Sequence, residues 1–122
     1  MSILFVEYPK CTTCKRAKKW LQEHGKEFID RDIKEDNPTV KELTAWIKKS
    51  GLPVKKFFNT SGMLYKEMEL KNKLPNMKEG EQIALLATDG MLVKRPIVVT
   101  EDTVLVGFKE IEWNGKLNKA EG

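Results

Sequence analysis

Ile3-Leu4-Phe5-Val6-Glu7-Tyr8-Pro9-Lys10-Cys11-Thr12-Thr13-Cys14 opens the chain, and its reading decides the fold. Ile3 to Val6 is a short β-branched and aromatic run, the signature of a buried strand. Tyr8-Pro9 ends it, because proline has no N–H to continue a ladder. Cys11 then falls in a loop, and Thr12 or Thr13 is placed to cap a helix that starts at Cys14. Ala17, Trp20, Leu21 and His24 follow at i, i+3, i+4 and i+7, which gives that helix one apolar face. Gly25 supplies its stop, with His24 beside it as a C-terminal charge or capping group. Phe28 to Ile33 reads as a second strand, so the chain opens as β-α-β with its first two strands parallel.

Working outward, the middle of the chain is helical. Asn37-Pro38-Thr39 marks a helix start, and Thr39 with Glu42 has capping-box spacing. Val40, Leu43, Trp46 and Ile47 form its expected buried stripe, and Ser50-Gly51-Leu52-Pro53 ends it. Short helices are expected over about 64–70 and 79–87, separated by Pro75 and closed by Asp89-Gly90. Strand chemistry returns at Ile97 to Val99 and Thr103 to Val106, with Glu101-Asp102 as the turn of a hairpin. Trp113 and Leu117, four apart, point to a last short helix that Gly115 weakens. The expected architecture is α/β: β-α-β, then a β-hairpin and helix, around a small mixed four-stranded sheet. One domain spans 1–120, with a helical insertion over about 36–90.

The 122 residues suit a single domain of ordinary size. Hydrophobic residues make up 40%, enough for a core and too many for a disordered chain. No apolar run approaches the roughly 20 residues that span a bilayer, and no secretory signal is visible. Two cysteines three positions apart do not frame a disulfide scaffold, so a cytoplasmic location is expected. The net charge of +4 is modest, and along most of the chain basic residues alternate with acids. Direct binding of nucleic acid is therefore not expected. The exception is Lys10, Lys15, Arg16, Lys18 and Lys19, which surround the cysteines with no acid between them. These side chains make either a solvated helix face or a setting that favours thiolate over thiol, and the two are compatible.

A C-x-x-C pair between a strand and a helix start carries a chemical expectation. A sulfur ahead of the helix faces unpaired N–H groups and the positive end of the dipole, which lowers its pKa. Cys11 is the expected nucleophile, and Cys14, one turn on, the resolving thiol that attacks a mixed disulfide. A zinc site would need four ligands, and beyond this pair the chain offers only His24 and carboxylates, so no metal is expected. Two incidental core cysteines are the other alternative, against which spacing, helix start and basic neighbours all weigh. Lys94-Arg95-Pro96 precedes the third strand. Pro96 belongs at the strand's start, where in thiol-redox folds a proline, often cis, lies against the C-x-x-C loop. Arg95 either offers its fork of donors to an oxyanion or thiolate, or is a surface arginine at a strand edge.

Taken together, Tyr8-Pro9-Lys10-Cys11-Thr12-Thr13-Cys14 and Arg95-Pro96-Ile97 resemble the ArsC family of arsenate reductases and its Spx-type redox regulators. Phe58-Asn59-Thr60-Ser61-Gly62, Leu74-Pro75, Asp89-Gly90-Met91-Leu92 and Val106-Gly107-Phe108 are similar to its short-chain branch. The resemblance spans roughly 3–113 and implies a thioredoxin-like fold with a helical insertion. It implies that Cys11 is the catalytic cysteine, that Arg95 is one of the arginines holding the oxyanion, and that Pro96 is the adjacent proline. Thr12 and Thr13 stand with Pro96 as expected substrate-binding positions. The arsenate pattern is incomplete: no arginine lies between Arg31 and Arg95, and only Lys109 is available near Gly107-Phe108. Lysine is not equivalent to a bidentate fork.

The expectation is a thiol-disulfide oxidoreductase in which efficient arsenate reduction is doubtful. It would hold no bound cofactor, draw on thioredoxin, glutaredoxin, glutathione or another small thiol, and act as a monomer. The alternative implied by the resemblance is an Spx-like regulator that binds the C-terminal domain of the RNA polymerase α subunit. That group's insertion arginine is absent here, and its basic C-terminal tail is not matched before Gly122.

Overall fold

A computed structural model describes residues 3–117; the expected domain boundary at 120 lies outside them. Strand β1 (Leu4–Glu7) leads into helix α1 (Thr12–Glu23) and strand β2 (Ile29–Asp32). Five short helices follow: α2 (Val40–Ser50), α3 (Met63–Glu67), α4 (Leu70–Lys73), α5 (Glu79–Leu86) and, after strands β3 (Ile97–Val99) and β4 (Val104–Val106), α6 (Glu110–Leu117). The sheet is mixed, in the order β2-β1-β3-β4. β1 and β2 are parallel, whereas β3 is antiparallel to both β1 and β4. This is the expected α/β, thioredoxin-like arrangement, with a helical layer between β2 and β3.

Strand alternation divides the interior into two cores. Phe5, Val98 and Leu105 stand in register across three strands. All three face α1 and α6, where they pack with Ala17, Trp20, Leu21, Trp113 and Leu117. Val6, Ile97 and Val104 face the other way, into the helical layer, with Leu43, Trp46, Phe57, Phe58 and Leu86. No helix among the described residues is long and apolar enough to cross a membrane.

Several local signals act as expected. Thr39 Oγ1 accepts the Glu42 amide at 3.1 Å, and Glu42 Oε1 accepts the Thr39 amide at 3.0 Å, closing the capping box. Gly25 and Gly51 both take the left-handed conformation that follows a helix end. Four details differ. α1 is capped by Cys11 rather than by Thr12 or Thr13. Val40 is exposed, because it is the first residue of α2 and lies beyond the edge of the core. The helix expected over 64–70 is broken, since Glu69 adopts a positive φ of 52° and starts α4 on a new axis. His24 is exposed; it stacks on Trp20 at 3.9 Å instead of joining the apolar face.

Candidate active site

The antiparallel pairing of β1 with β3 builds the site. Val6 stands opposite Ile97, so the loop leaving β1 and the loop entering β3 lie at one end of the sheet. Residues distant in sequence, Cys11 and Arg95, therefore meet. The Arg95–Pro96 peptide is cis, Pro96 is buried, and its carbonyl accepts the Gly107 amide at 2.8 Å. This ties the proline loop to the end of β4.

Cys11 turns the chain into α1. Its amide donates to the Tyr8 carbonyl at 2.9 Å, and its extended backbone places the sulfur over the first turn of the helix. There Sγ accepts the Cys14 amide at 3.4 Å. A thiol in the N-cap position does what a hydroxyl or carboxylate usually does, satisfying one of the orphan donors of the first turn. Thr12 and Thr13, the first residues of α1, are exposed and half-buried respectively.

The two sulfurs occupy opposite environments. Partial burial works against ionisation of Cys11, but the Cys14 amide, the Cys14 thiol and Arg95 together outweigh it and lower its pKa. Cys14 is fully buried, and desolvation, the neighbouring Cys11 sulfur and the Glu7 carboxylate push it up to about 12, against a hydrogen bond from the Tyr8 amide. One thiol is thus disposed to ionise and half-exposed, while its partner one turn on is held protonated. Both are free cysteines.

Arg95 is the cation that acts on Cys11. The five basic residues around the motif have other placements: Lys18 pairs with Asp30 at 2.7 Å, Arg16 lies over the Phe108 ring at 5.7 Å, and Lys10, Lys15 and Lys19 are exposed on the surface. The Arg95 guanidinium rests over the Tyr8 ring at 5.2 Å, an arrangement that desolvates it and fixes its direction. Its Nη1 is buried with no hydrogen-bond partner among the described residues. A buried donor of this kind calls for an acceptor, which a bound anionic group can supply.

The ArsC family model matches residues 6–115. The chain belongs to the ArsC family. Within it, the chain is 58% identical to YusI of Bacillus subtilis strain 168 over 113 residues, covering 93% of this chain and 96% of YusI. It is 27% identical to the global transcriptional regulator Spx of Staphylococcus haemolyticus, over 85% of this chain and 78% of Spx. A crystal structure of a protein described as ArsC-family-related from Bacteroides fragilis matches with a TM-score of 0.92 and 65% identity, covering 94% of this chain and 97% of that one.

Two residues of this ArsC-family site escape the motif reading. Tyr8 looks like a simple strand breaker, yet its ring carries Arg95 and its amide reaches the Cys14 sulfur. Glu7 is a charged residue only 4% exposed at the end of β1. A signal for Glu7 is present in the sequence: it follows Phe5 by two positions and so shares its inward face.

Proposed function

We propose that this ArsC-family protein is a thiol-disulfide oxidoreductase. Cys11 attacks a substrate disulfide, one substrate thiolate leaves, and a mixed disulfide forms on Cys11. Cys14 then attacks the Cys11 sulfur, the second substrate thiolate leaves, and the protein's two electrons have passed to the substrate. The observation that supports this reading is the unequal pair: a Cys11 sulfur held by the Cys14 amide beside Arg95, and a buried Cys14 within one turn. Arg95 steadies the thiolate or an anionic substrate group, and Thr12, Thr13 and Pro96 border the place where that group binds. Thioredoxin, glutaredoxin, glutathione or another small thiol would restore the dithiol, which suits a reducing cytoplasm. Arsenate is a poor candidate substrate, because Arg95 alone supplies a guanidinium fork where the family pattern has three anchors.

The decisive experiment is disulfide turnover with a thiol donor. Cys11→Ser should abolish it, and Cys14→Ser should accumulate a mixed disulfide visible by mass spectrometry. Full turnover in both variants would overturn the assignment. The similarity to Spx favours a second reading, a redox-sensing regulator that contacts the α subunit of RNA polymerase. That reading expects capture of the polymerase α subunit to differ between reduced and oxidised protein.

A further inference from the structure

The chain has three arginines, Arg16, Arg31 and Arg95, and each lies over an aromatic ring. What differs is where their N–H donors go. Arg31, over Trp46 at 5.8 Å, gives its fork to Glu42 at 2.7 and 2.9 Å and lies 3.4 Å from Asp36, so the fold neutralises its charge. Arg16, over Phe108, is exposed to water. Arg95, over Tyr8, is half-buried and pairs with no carboxylate among the described residues. Its Nη1 stays buried and unpaired.

A ring and a carboxylate hold a guanidinium in different ways. A carboxylate occupies the edge, where the donors are, and cancels the charge. A ring takes the flat face, restrains a long and flexible side chain, and leaves the donors at the edge free. Tyr8 is placed to do this at the nucleophile. Its carbonyl accepts the Cys11 amide at 2.9 Å, while the Arg95 guanidinium lies 5.2 Å from its ring centre. One residue thus fixes both the turn that presents Cys11 and the cation over its own ring. Tyr8 and Cys11 are both half-buried, so this corner is within reach of a substrate from solvent.

We propose that Tyr8 is the positioning residue that makes Arg95 a receptor for a carboxylate, and that the site selects disulfides bearing such a group. The proposal rests on the oxidoreductase reading above. A single planar fork matches the two oxygens of a carboxylate, whereas a tetrahedral oxyanion presents more oxygens than one fork can satisfy. With the carboxylate held on Arg95, a disulfide a few bonds away reaches Cys11. The Cys11 thiolate then bonds to one of its sulfurs, and the other leaves as a thiolate with the electron pair of the broken bond. Without the ring the arginine is present but undirected. Its guanidinium turns to water, Nη1 is hydrated, and the attraction for a carboxylate is weakened by solvent.

The test compares the rates at which reduced protein opens dithiodipropionate, which carries a carboxylate on each arm, and bis(hydroxyethyl) disulfide, which is neutral. Each rate is divided by that of free mercaptoethanol with the same disulfide. At about 0.15 M salt the exposed lysines around the motif are screened beyond about 8 Å. The wild type should favour the dianion by about tenfold. Tyr8→Leu should lower that ratio about fivefold, and Tyr8→Phe, which restores the ring face, should keep it. In Arg95→Met the preference should vanish, and adding Tyr8→Leu should change nothing further. Both rates come from one sample, so the folded fraction cancels from their ratio, and Tyr8→Met takes the place of Tyr8→Leu if that variant does not fold. A wild-type ratio near one, an unchanged ratio in Tyr8→Leu, a lost ratio in Tyr8→Phe, or an equal fall in the Arg95→Met background overturns the proposal. Failure of the wild type to open either disulfide would instead overturn the oxidoreductase reading, and this proposal with it.

Discussion

The Cys11 sulfur accepts the backbone amide of Cys14 at 3.4 Å, so the reactive thiol is also the cap of the helix that carries its partner. Ionisation of Cys11 strengthens that bond, because a thiolate is a better acceptor than a thiol. Alkylation by iodoacetamide should therefore begin below the ordinary thiol range of about 8.5 and modify Cys11 alone. Arg95→Met should move that profile to higher pH and slow alkylation severalfold at neutrality, since a cation that favours the thiolate is lost. Peptide mapping at each pH checks both outcomes.

The second prediction concerns the attachment of the helical layer. Arg31 on β2 holds Glu42 on α2 at two points, 2.7 and 2.9 Å, and lies over the Trp46 ring. The Arg31 fork, against some desolvation, holds the Glu42 carboxyl down at about 2. Its folded pKa is depressed, so the stabilisation is full above the ordinary carboxylate range and is lost as pH falls from there through about 2. Glu42→Gln keeps the capping geometry and removes the charge. With solvent screening at a carboxyl about one-third exposed, it should cost about 1–2 kcal/mol at pH 7 and close to nothing near pH 2, by urea unfolding.

Glu7 has the opposite sign. Its folded pKa is raised to about 7, so the native state binds more protons than the unfolded chain between the ordinary carboxylate range and neutrality. Wild-type stability should fall across that window as pH rises. Glu7→Gln has no such penalty: it should match the wild type near pH 4 and exceed it by up to about 3 kcal/mol at pH 8. Thermal unfolding at the two pH values checks this.

Two glycines separate packing from propensity. A Cβ on Gly90 would overlap the Ile33 carbonyl oxygen and lie 2.7 Å from its carbon, backbone that cannot swing aside. Gly90→Ala should cost about 3 kcal/mol. Gly80, in the first turn of α5, has nothing within 4 Å of its notional Cβ. Gly80→Ala should be stabilising by about 0.5 kcal/mol. Equilibrium unfolding of both variants decides the matter.

Much of the fold is legible in local signals, because strand runs, the Thr39–Glu42 box and the glycine stops each act within a few residues. The break at Glu69 is not, since no glycine announces a positive φ there. At the site, the C-x-x-C spacing and Arg95-Pro96 announce themselves as motifs. What stays hidden is pairwise: which cation reaches Cys11, what underlies Cys14, and that the sulfur replaces a threonine as cap. Each depends on strand register and on which helix covers which face, quantities that a single stretch of residues does not contain.

The two-sided sheet also distributes the chromophores. Trp20 and Trp113 meet edge-to-face at 5.4 Å on the α1 side, and Trp46 lies with the helical layer on the other. Each core thus has its own fluorophore. Trp46→Phe leaves emission only from the side that carries the thiols, and a Trp20→Phe, Trp113→Phe double variant leaves it only from the side that does not. Fluorescence can then follow the loosening of either layer separately within one chain.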